Sequence, residues 1–185
     1  MAKELNVTGL DELQKFMTQL PAKLEKNVMR GALRAGAKEI MIDAKAKAPV
    51  GAPNQENKKL YGGYPGALRD SLRIGTSVKF NTIIAYIRAG GRNKKTGAIA
   101  YYAHMVEYGT KRHLIIPKKR GGKLKIGNSL VSAVMHPGTK ARPFMRPALD
   151  SRASAAVNAA AAHMRKVLAR KYGLNAPYAF VEGDE

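Results

Sequence analysis

The amino-acid sequence predicts an α+β protein, with an antiparallel β-sheet packed by two N-terminal helices and a long C-terminal helix. Apolar residues recur at helical spacing in the first part of the chain and again after residue 147, whereas two stretches between residues 72 and 89 alternate as strands do. A chain of 185 residues without internal repeats is expected to form a single domain, residues 1–185.

Two helices are predicted at the N-terminal end. The first begins at Thr8 or Gly9, because an apolar stripe at helical spacing follows at once. The stripe consists of Leu10, Leu13, Phe16, Met17 and Leu20. Pro21 suits the first position of the second helix, which extends to about Lys47 and carries a wide apolar face.

The middle of the chain is predicted to contain a long loop followed by a strand pair. Residues 51–66 (GAPNQENKKLYGGYPG) are rich in Gly, Pro and Asn and lack periodicity, which is typical of an exposed loop. A short helical turn at 67–72 comes next. The stretches Leu72–Phe80 and Thr82–Ala89 then form two strands around a tight turn at Asn81.

A basic β-hairpin extension is predicted over residues 113–135. In this prediction Leu124–Ile126 returns against Leu114–Ile116, and Leu130–Met135 forms a further strand. The tip of the hairpin is the glycine-containing run KKRGGK, residues 118–123.

The segment Ala141–Asp150 (ARPFMRPALD) is predicted to open the last helix. Pro147 lies in its first turn, and Asp150 lies there too, facing the positive end of the helix dipole. Gly173 ends the helix, and residues 174–185 form a flexible tail. The face expected to be buried carries Leu149, Ala153, Val157, Ala161, Met164, Leu168 and Tyr172.

Charge is the most informative feature of the composition. The chain has 33 Lys+Arg against 13 Asp+Glu, a formal net charge of +20, and between Ser71 and Leu149 the one acid is Glu107. This balance favours an anionic partner, most often nucleic acid, over a merely basic surface. Glycine-containing basic loops suit non-specific contact with double-stranded DNA, and they fit a solvated basic rim equally well. The candidate DNA-facing residues are Arg92, Lys94, Lys95, Lys118, Lys119, Arg120 and Lys123.

The sequence carries no pattern that favours an enzyme. It has no cysteine and no nucleotide-binding or nucleophile motif. His104 and Glu107 have the spacing of half a carboxylate–histidine metal site, but ordinary polar roles are the expected interpretation. We therefore expect no catalysis, cofactor, metal or small-molecule substrate. Without a signal peptide or a bilayer-spanning apolar run, we also expect a soluble protein that does not enter a membrane.

Five aromatic and apolar residues are candidate packing or interface anchors. They are Tyr101, Tyr102, Tyr108, Phe144 and Met145. Tyrosine suits an interface because it combines contact area with a polar tip. The tyrosines fit either half-buried core positions or an interface. Phe144 is expected to pack near the Tyr101–Tyr108 helix.

Three blocks in a fixed order resemble a known family. They are AKAKAPV (44–50), GALRDSL (66–72), and YYAHMVEYGT (101–110) followed by RPFMRPAL (142–149). Together they resemble the gene-product-ten-like family of lambdoid siphophages, small structural proteins of the tailed-phage neck. The resemblance extends from about Leu10 to Tyr172. The chain departs from the family pattern in its longer 51–66 loop and its elaborated hairpin.

The resemblance implies a non-enzymatic virion protein, made in the host cytoplasm and built into the head–tail junction. Such a protein joins the head to the tail, or completes the tail, as a ring around the DNA passage. The implied partners are copies of itself, other neck, portal-side and tail proteins, and passing double-stranded DNA. Charge alone leaves open a second interpretation, a cellular, non-specific nucleic-acid-binding or ribosome-associated protein.

Overall fold

A computed structural model describes residues 7–19, 22–51, 64–80, 82–91, 100–119, 121–173 and 180–181. The α+β class is confirmed. The helices are α1 (Leu10–Thr18), α2 (Ala22–Lys47), α3 (Ala67–Ser71), α4 (Ala103–Tyr108) and α5 (Met145–Tyr172). The strands are β1 (Val7–Thr8), β2 (Arg73–Lys79), β3 (Thr82–Arg88), β4 (His113–Ile115), β5 (Leu124–Ile126), β6 (Ser129–Val131), β7 (Val134–His136) and β8 (Phe180–Val181).

The strands of the described part pair as four antiparallel two-stranded ribbons. In the predicted strand pair, β2 and β3 align without a break from Arg73↔Arg88 to Lys79↔Thr82. That register leaves a two-residue turn in which Phe80 has a φ of 44°. Its partner Asn81 lies outside the described residues, as does most of the predicted 51–66 loop. The ribbon packs on α2.

The predicted pairing within the basic hairpin is wrong. β4 pairs with β7 and β5 pairs with β6, so one hairpin is nested at the end of another. β5 turns back onto β6 through only Gly127 and Asn128, with Gly127 at a φ of 57°. Closing this two-residue turn costs less entropy than pairing β5 with the more distant β4. The predicted Leu130–Met135 strand is therefore split between the two ribbons. We call residues 113–136 the arm.

The two long helices α2 and α5 pack closely through small side chains. A Cβ atom at Gly36 would lie 2.5 Å from the carbonyl oxygen of Ala156, so the backbones are almost in contact there. The two core clusters lie at the two ends of this contact. One contains Ala44, Phe144 and Ala148, and the other joins Leu13 and Met17 of α1 to residues of α2 and α5.

A polar contact joins α2 to the first turns of α5. Ser151 Oγ donates to Asp43 Oδ2 at 2.8 Å and accepts from Lys47 Nζ at 2.9 Å, while Lys47 also binds Asp43. The hydrogen bond from Lys47, followed by that from Ser151, holds the pKa of Asp43 below its ordinary value. The three side chains thus fix the helices against sliding along each other.

The start of α5 differs from the prediction. The helix begins at Met145, two residues before Pro147, and Asp150 lies beyond the first turn. Near the start of α5 the buried face shifts by one residue, since Ala148 is fully buried and Leu149 is 51% exposed, whereas Ala161, Met164 and Leu168 are buried as predicted. The predicted end is confirmed, because Gly173 adopts the left-handed conformation that closes a helix.

The close approach of α2 and α5 predicts opposite effects for two glycines of the same helix. Gly36→Ala should lower the free energy of unfolding by about 1–3 kcal/mol, because the new methyl group meets backbone. Gly31→Ala is the matched control, since its methyl group meets only the imidazole of His163, which can move. It should change stability little or raise it by up to about 1 kcal/mol through helix propensity. Chemical denaturation measures both, and equal effects would contradict this packing.

Candidate assembly and nucleic-acid surface

The carboxylate of Glu107 caps the N-terminus of α5. Glu107 Oε2 accepts the backbone N–H groups of Phe144 and Met145 at 2.8 and 3.0 Å, and Oε1 accepts that of Arg146 at 3.1 Å. The first N–H groups of a helix have no partner within the helix, so an outside acceptor satisfies them. A negative charge also suits the positive end of the helix dipole. This contact explains why α5 begins before Pro147.

The cap shifts the titration of Glu107. Burial raises its pKa, but the N–H groups of Met145, Phe144 and Arg146 and the charge of Arg146 outweigh burial and bring the pKa below its ordinary value. A carboxyl group whose pKa falls on folding stabilises the fold above its unfolded pKa. That stabilisation is lost as the pH falls through the folded pKa.

The arm leaves the body between α4 and α5. At its base Thr110 and Thr139 exchange two backbone hydrogen bonds of 3.0 and 3.1 Å, and Arg142 N–H donates to the carbonyl of Val106 at 2.8 Å. Beyond this base the strands of the arm pair among themselves, and none packs extensively on a helix in the described part. The arm is thus held firmly at its base and projects from the body.

A cleft of about 830 Å³ lies at the base of the arm. Its walls combine the segment that follows α2, helices α3 and α4, the first ribbon of the arm and the segment before α5. The apolar part of the lining includes Val50, Met105 and Ile115, while Lys140 and Arg142 supply positive charge. No carboxylate lines the cleft, whose lining residues are all described.

A comparison with models of protein families finds a match for this chain. The HK97-gp10-like model, whose description is "Bacteriophage HK97-gp10, putative tail-component", matches residues 11–109, more than half of the chain. The chain belongs to this family. Searches of curated proteins and of solved structures find no match. The resemblance drawn from the sequence blocks is therefore confirmed at the level of the family.

The matched region of this HK97-gp10-like protein ends at Gly109, directly after α4. It contains Glu107 but not the N–H groups that Glu107 binds. The arm and α5 also lie beyond the match. The exposed lysines and the exposed apolar side chains of the arm therefore lie outside the matched region.

Three of the seven candidate DNA-facing residues can be located in the structure of this family member. Lys118, Lys119 and Lys123 are exposed on the connection between β4 and β5. Four others, Arg92, Lys94, Lys95 and Arg120, lie outside the described residues.

The chain just before Arg92, Lys94 and Lys95 is described, up to Gly91. Buried Ser71 Oγ accepts the N–H of Gly90 at 3.0 Å and donates to the carbonyl of Leu68 at 2.7 Å. These hydrogen bonds attach Gly90, two residues before Arg92, to α3.

The candidate anchors divide into two groups by burial. Phe144 is fully buried against Ala103 and Leu68, as expected, and Met145 and Tyr102 pack against the same cluster. Burial, followed by the neighbouring Tyr101, raises the pKa of Tyr102.

Tyr101 and Tyr108, in contrast, are 54% and 70% exposed. Sequence reasoning could not separate these tyrosines, because α4 is less than two turns long and both of its faces carry aromatic or apolar residues. Exposure makes Tyr101 and Tyr108 available to a partner.

The His104–Glu107 pair has a structural role. His104 Nδ1 lies 3.1 Å from the carbonyl of Tyr101, and both oxygens of Glu107 bind the start of α5. Among the described residues no group of three or more possible ligands is positioned to hold a metal ion. Within the same residues no helix combines the length and apolar character that crossing a bilayer requires.

The cap predicts a pH-dependent loss of stability on Glu107→Gln. We expect the free energy of unfolding at pH 7 to fall by about 1–3 kcal/mol, because the amide replaces a charged acceptor with a weaker one. The difference from the unchanged protein should shrink as the pH falls below about 4, where unfolded Glu107 becomes protonated.

The control for this prediction is Asp150→Asn, an exposed acid beyond the first turn of α5, with an expected change within about 0.5 kcal/mol. Denaturant unfolding from pH 3 to 7 measures both variants. A Glu107→Gln effect that does not vary with pH would contradict the role of the charge.

Proposed function

We propose that this protein is a structural component of the head–tail neck of a tailed phage, and that it assembles as a ring around the DNA passage. Membership of a phage tail-component family carries the virion part of the proposal. The projecting basic arm supports the finer part, since it suits a surface that meets DNA. Its partners are copies of itself and the neighbouring neck, portal-side and tail proteins.

The charge of the arm supports contact with DNA. Its connection carries three exposed lysines, and Glu107, the one acid between Ser71 and Leu149, is occupied by α5. The positive charge is therefore not neutralised by acids of the same segment. Contacts of lysine with phosphate do not depend on base sequence, which suits a protein past which any part of a genome must move.

Exposed apolar side chains on the arm support assembly. Leu114 and Met135 are cross-strand partners on one face of the β4–β7 ribbon, and they are 56% and 47% exposed. Ile116 continues the same face and is 64% exposed. A cluster of this kind on a projecting ribbon is typical of a surface that another protein covers. A ring requires such a surface to meet a different surface of the next copy.

We also propose that the protein acts without catalysis. The family is described as a tail component, and the best catalytic candidate, Glu107, has both oxygens engaged with backbone N–H groups. The alternative of a cellular nucleic-acid-binding or ribosome-associated protein rests on net charge alone. Family membership favours the virion.

The virion proposal predicts where the protein is found. We expect purified phage particles to contain it in a fixed number of copies, and electron microscopy of intact particles to place it in a ring between capsid and tail. Particles from a phage lacking the gene should have separate heads and tails. Its absence from purified particles would contradict the proposal.

The DNA proposal predicts a localised salt dependence. Lys118→Gln, Lys119→Gln and Lys123→Gln together should reduce the slope of log affinity against log salt by up to about 0.9 for each phosphate that a lysine no longer neutralises. Lys15→Gln, Lys38→Gln and Lys166→Gln form the control, with the same change of charge on helical positions away from the arm. Fluorescence anisotropy with labelled duplex DNA measures both. Equal effects would mean that net charge alone, and not the arm, determines binding.

A further inference from the structure

The cleft at the base of the arm has the chemistry of a peptide-binding site. It has an apolar floor, two exposed cations in Lys140 and Arg142, and two histidines, His113 and His136, on its β-ribbon side. Its volume of about 830 Å³ lies within the range of ligand sites in proteins. With no carboxylate in the lining, the complementary occupant is an apolar segment that carries negative charge.

The surroundings of the cleft favour a polypeptide over DNA or a small molecule. Apolar walls offer nothing to a phosphate backbone, whose affinity comes from charge. A polypeptide segment can supply apolar side chains and carboxylates together, which matches walls that combine Val50, Met105 and Ile115 with Lys140 and Arg142.

The chain itself contains a segment of the required composition. Residues 178–185 read YAFVEGDE and combine two aromatic residues with three acids, out of thirteen acids in the whole chain. We propose that the cleft binds residues 178–185 of a second copy, an inference that rests on the proposed self-assembly. Lys140 and Arg142 then pair with the carboxylates of Asp184 and Glu185, and the apolar walls receive the aromatic side chains.

The distances within one chain require that the segment come from another copy. The cleft lies at the N-terminal end of α5, next to Arg142, whereas the segment follows its C-terminal end at Gly173. A helix of 28 residues is about 42 Å long. Residues 178–180, only five to seven positions after Gly173, can reach roughly 17–25 Å from it. The aromatic part of the segment therefore cannot enter the cleft of its own chain.

In the single chain two residues of this segment, Phe180 and Val181, already have a pairing partner. The backbone of Phe180–Val181 pairs with Val7–Thr8 over only two residue pairs. Such a short pairing is marginal by itself, so exchanging it for the cleft of a neighbour costs little. Docking also relieves repulsion, because subunits with a net charge of +20 repel each other unless opposite charges meet at the contact.

A charge exchange tests the proposal in the full-length protein. Lys140→Glu with Arg142→Glu, or Asp184→Lys with Glu185→Lys, should each weaken self-association at least tenfold in sedimentation velocity. The chain with all four changes has the original net charge, and its self-association should return to within about threefold of the unchanged protein. Circular dichroism verifies that each variant is folded. The four-change chain is the control for altered net charge.

A second measurement uses a labelled peptide of residues 174–185. We expect it to bind the unchanged protein in fluorescence anisotropy, and to bind the Lys140→Glu, Arg142→Glu variant at least tenfold more weakly. Failure of the four-change chain to recover, equal binding of the peptide to both proteins, or a monomer at all concentrations would each overturn the proposal.

The outcomes for the docking and for the proposed function are separate. If virions contain the protein and the charge variants self-associate as the unchanged protein does, the proposed function stands and the docking is contradicted. If the four-change chain recovers self-association but purified particles lack the protein, the docking stands and the proposed function is contradicted.

Discussion

The contact between Glu107 and the start of α5 is the constraint on which the rest of the structure depends. One carboxylate satisfies three backbone N–H groups and thereby fixes where the longest helix begins. Because Phe144 is the first of those donors, the same contact buries its ring among Leu68, Ala103 and Ala148. The orientation of α5 along α2 follows from this end. The position of the arm follows too, because along the chain its base lies between Glu107 and the start of α5.

Small residues determine how α2 and α5 then meet. Gly36 allows the backbone of α2 to lie against Ala156, which large side chains would prevent. Close approach of this kind gives dispersion contacts along the two helices, but it leaves little room for large apolar side chains between them. The core is therefore divided, with Phe144 in the cluster at one end and Leu168 in the cluster at the other. The arm leaves the body at the end where Glu107 lies.

Local signals in the sequence are sufficient for most elements and insufficient for contacts between distant segments. Periodicity and Gly173 predict the helices and the end of α5, since both act within a few residues. Pro147 alone places the start of α5 two residues too late, because the true cap is Glu107, which lies 38 residues from Met145 along the chain. The nested pairing of the arm depends on the tight turn at Gly127, a signal that is present in the sequence but absent from the prediction. The cleft cannot be predicted in this way at all, since five separate segments form its walls.

Glu107, the one acid between Ser71 and Leu149, explains how this stretch can be folded while its positive charges stay exposed. A carboxylate on the surface of the arm would neutralise part of its charge, whereas Glu107 is buried and its charge is taken up by the dipole and N–H groups of α5. The positive charges of Lys118, Lys119 and Lys123 thus remain exposed to solvent. Structural order and surface charge are supplied by different residues, so either can be altered without the other. In a protein proposed to hold its neighbours in a ring while DNA moves past, that separation lets the charge of the arm change without loss of the fold.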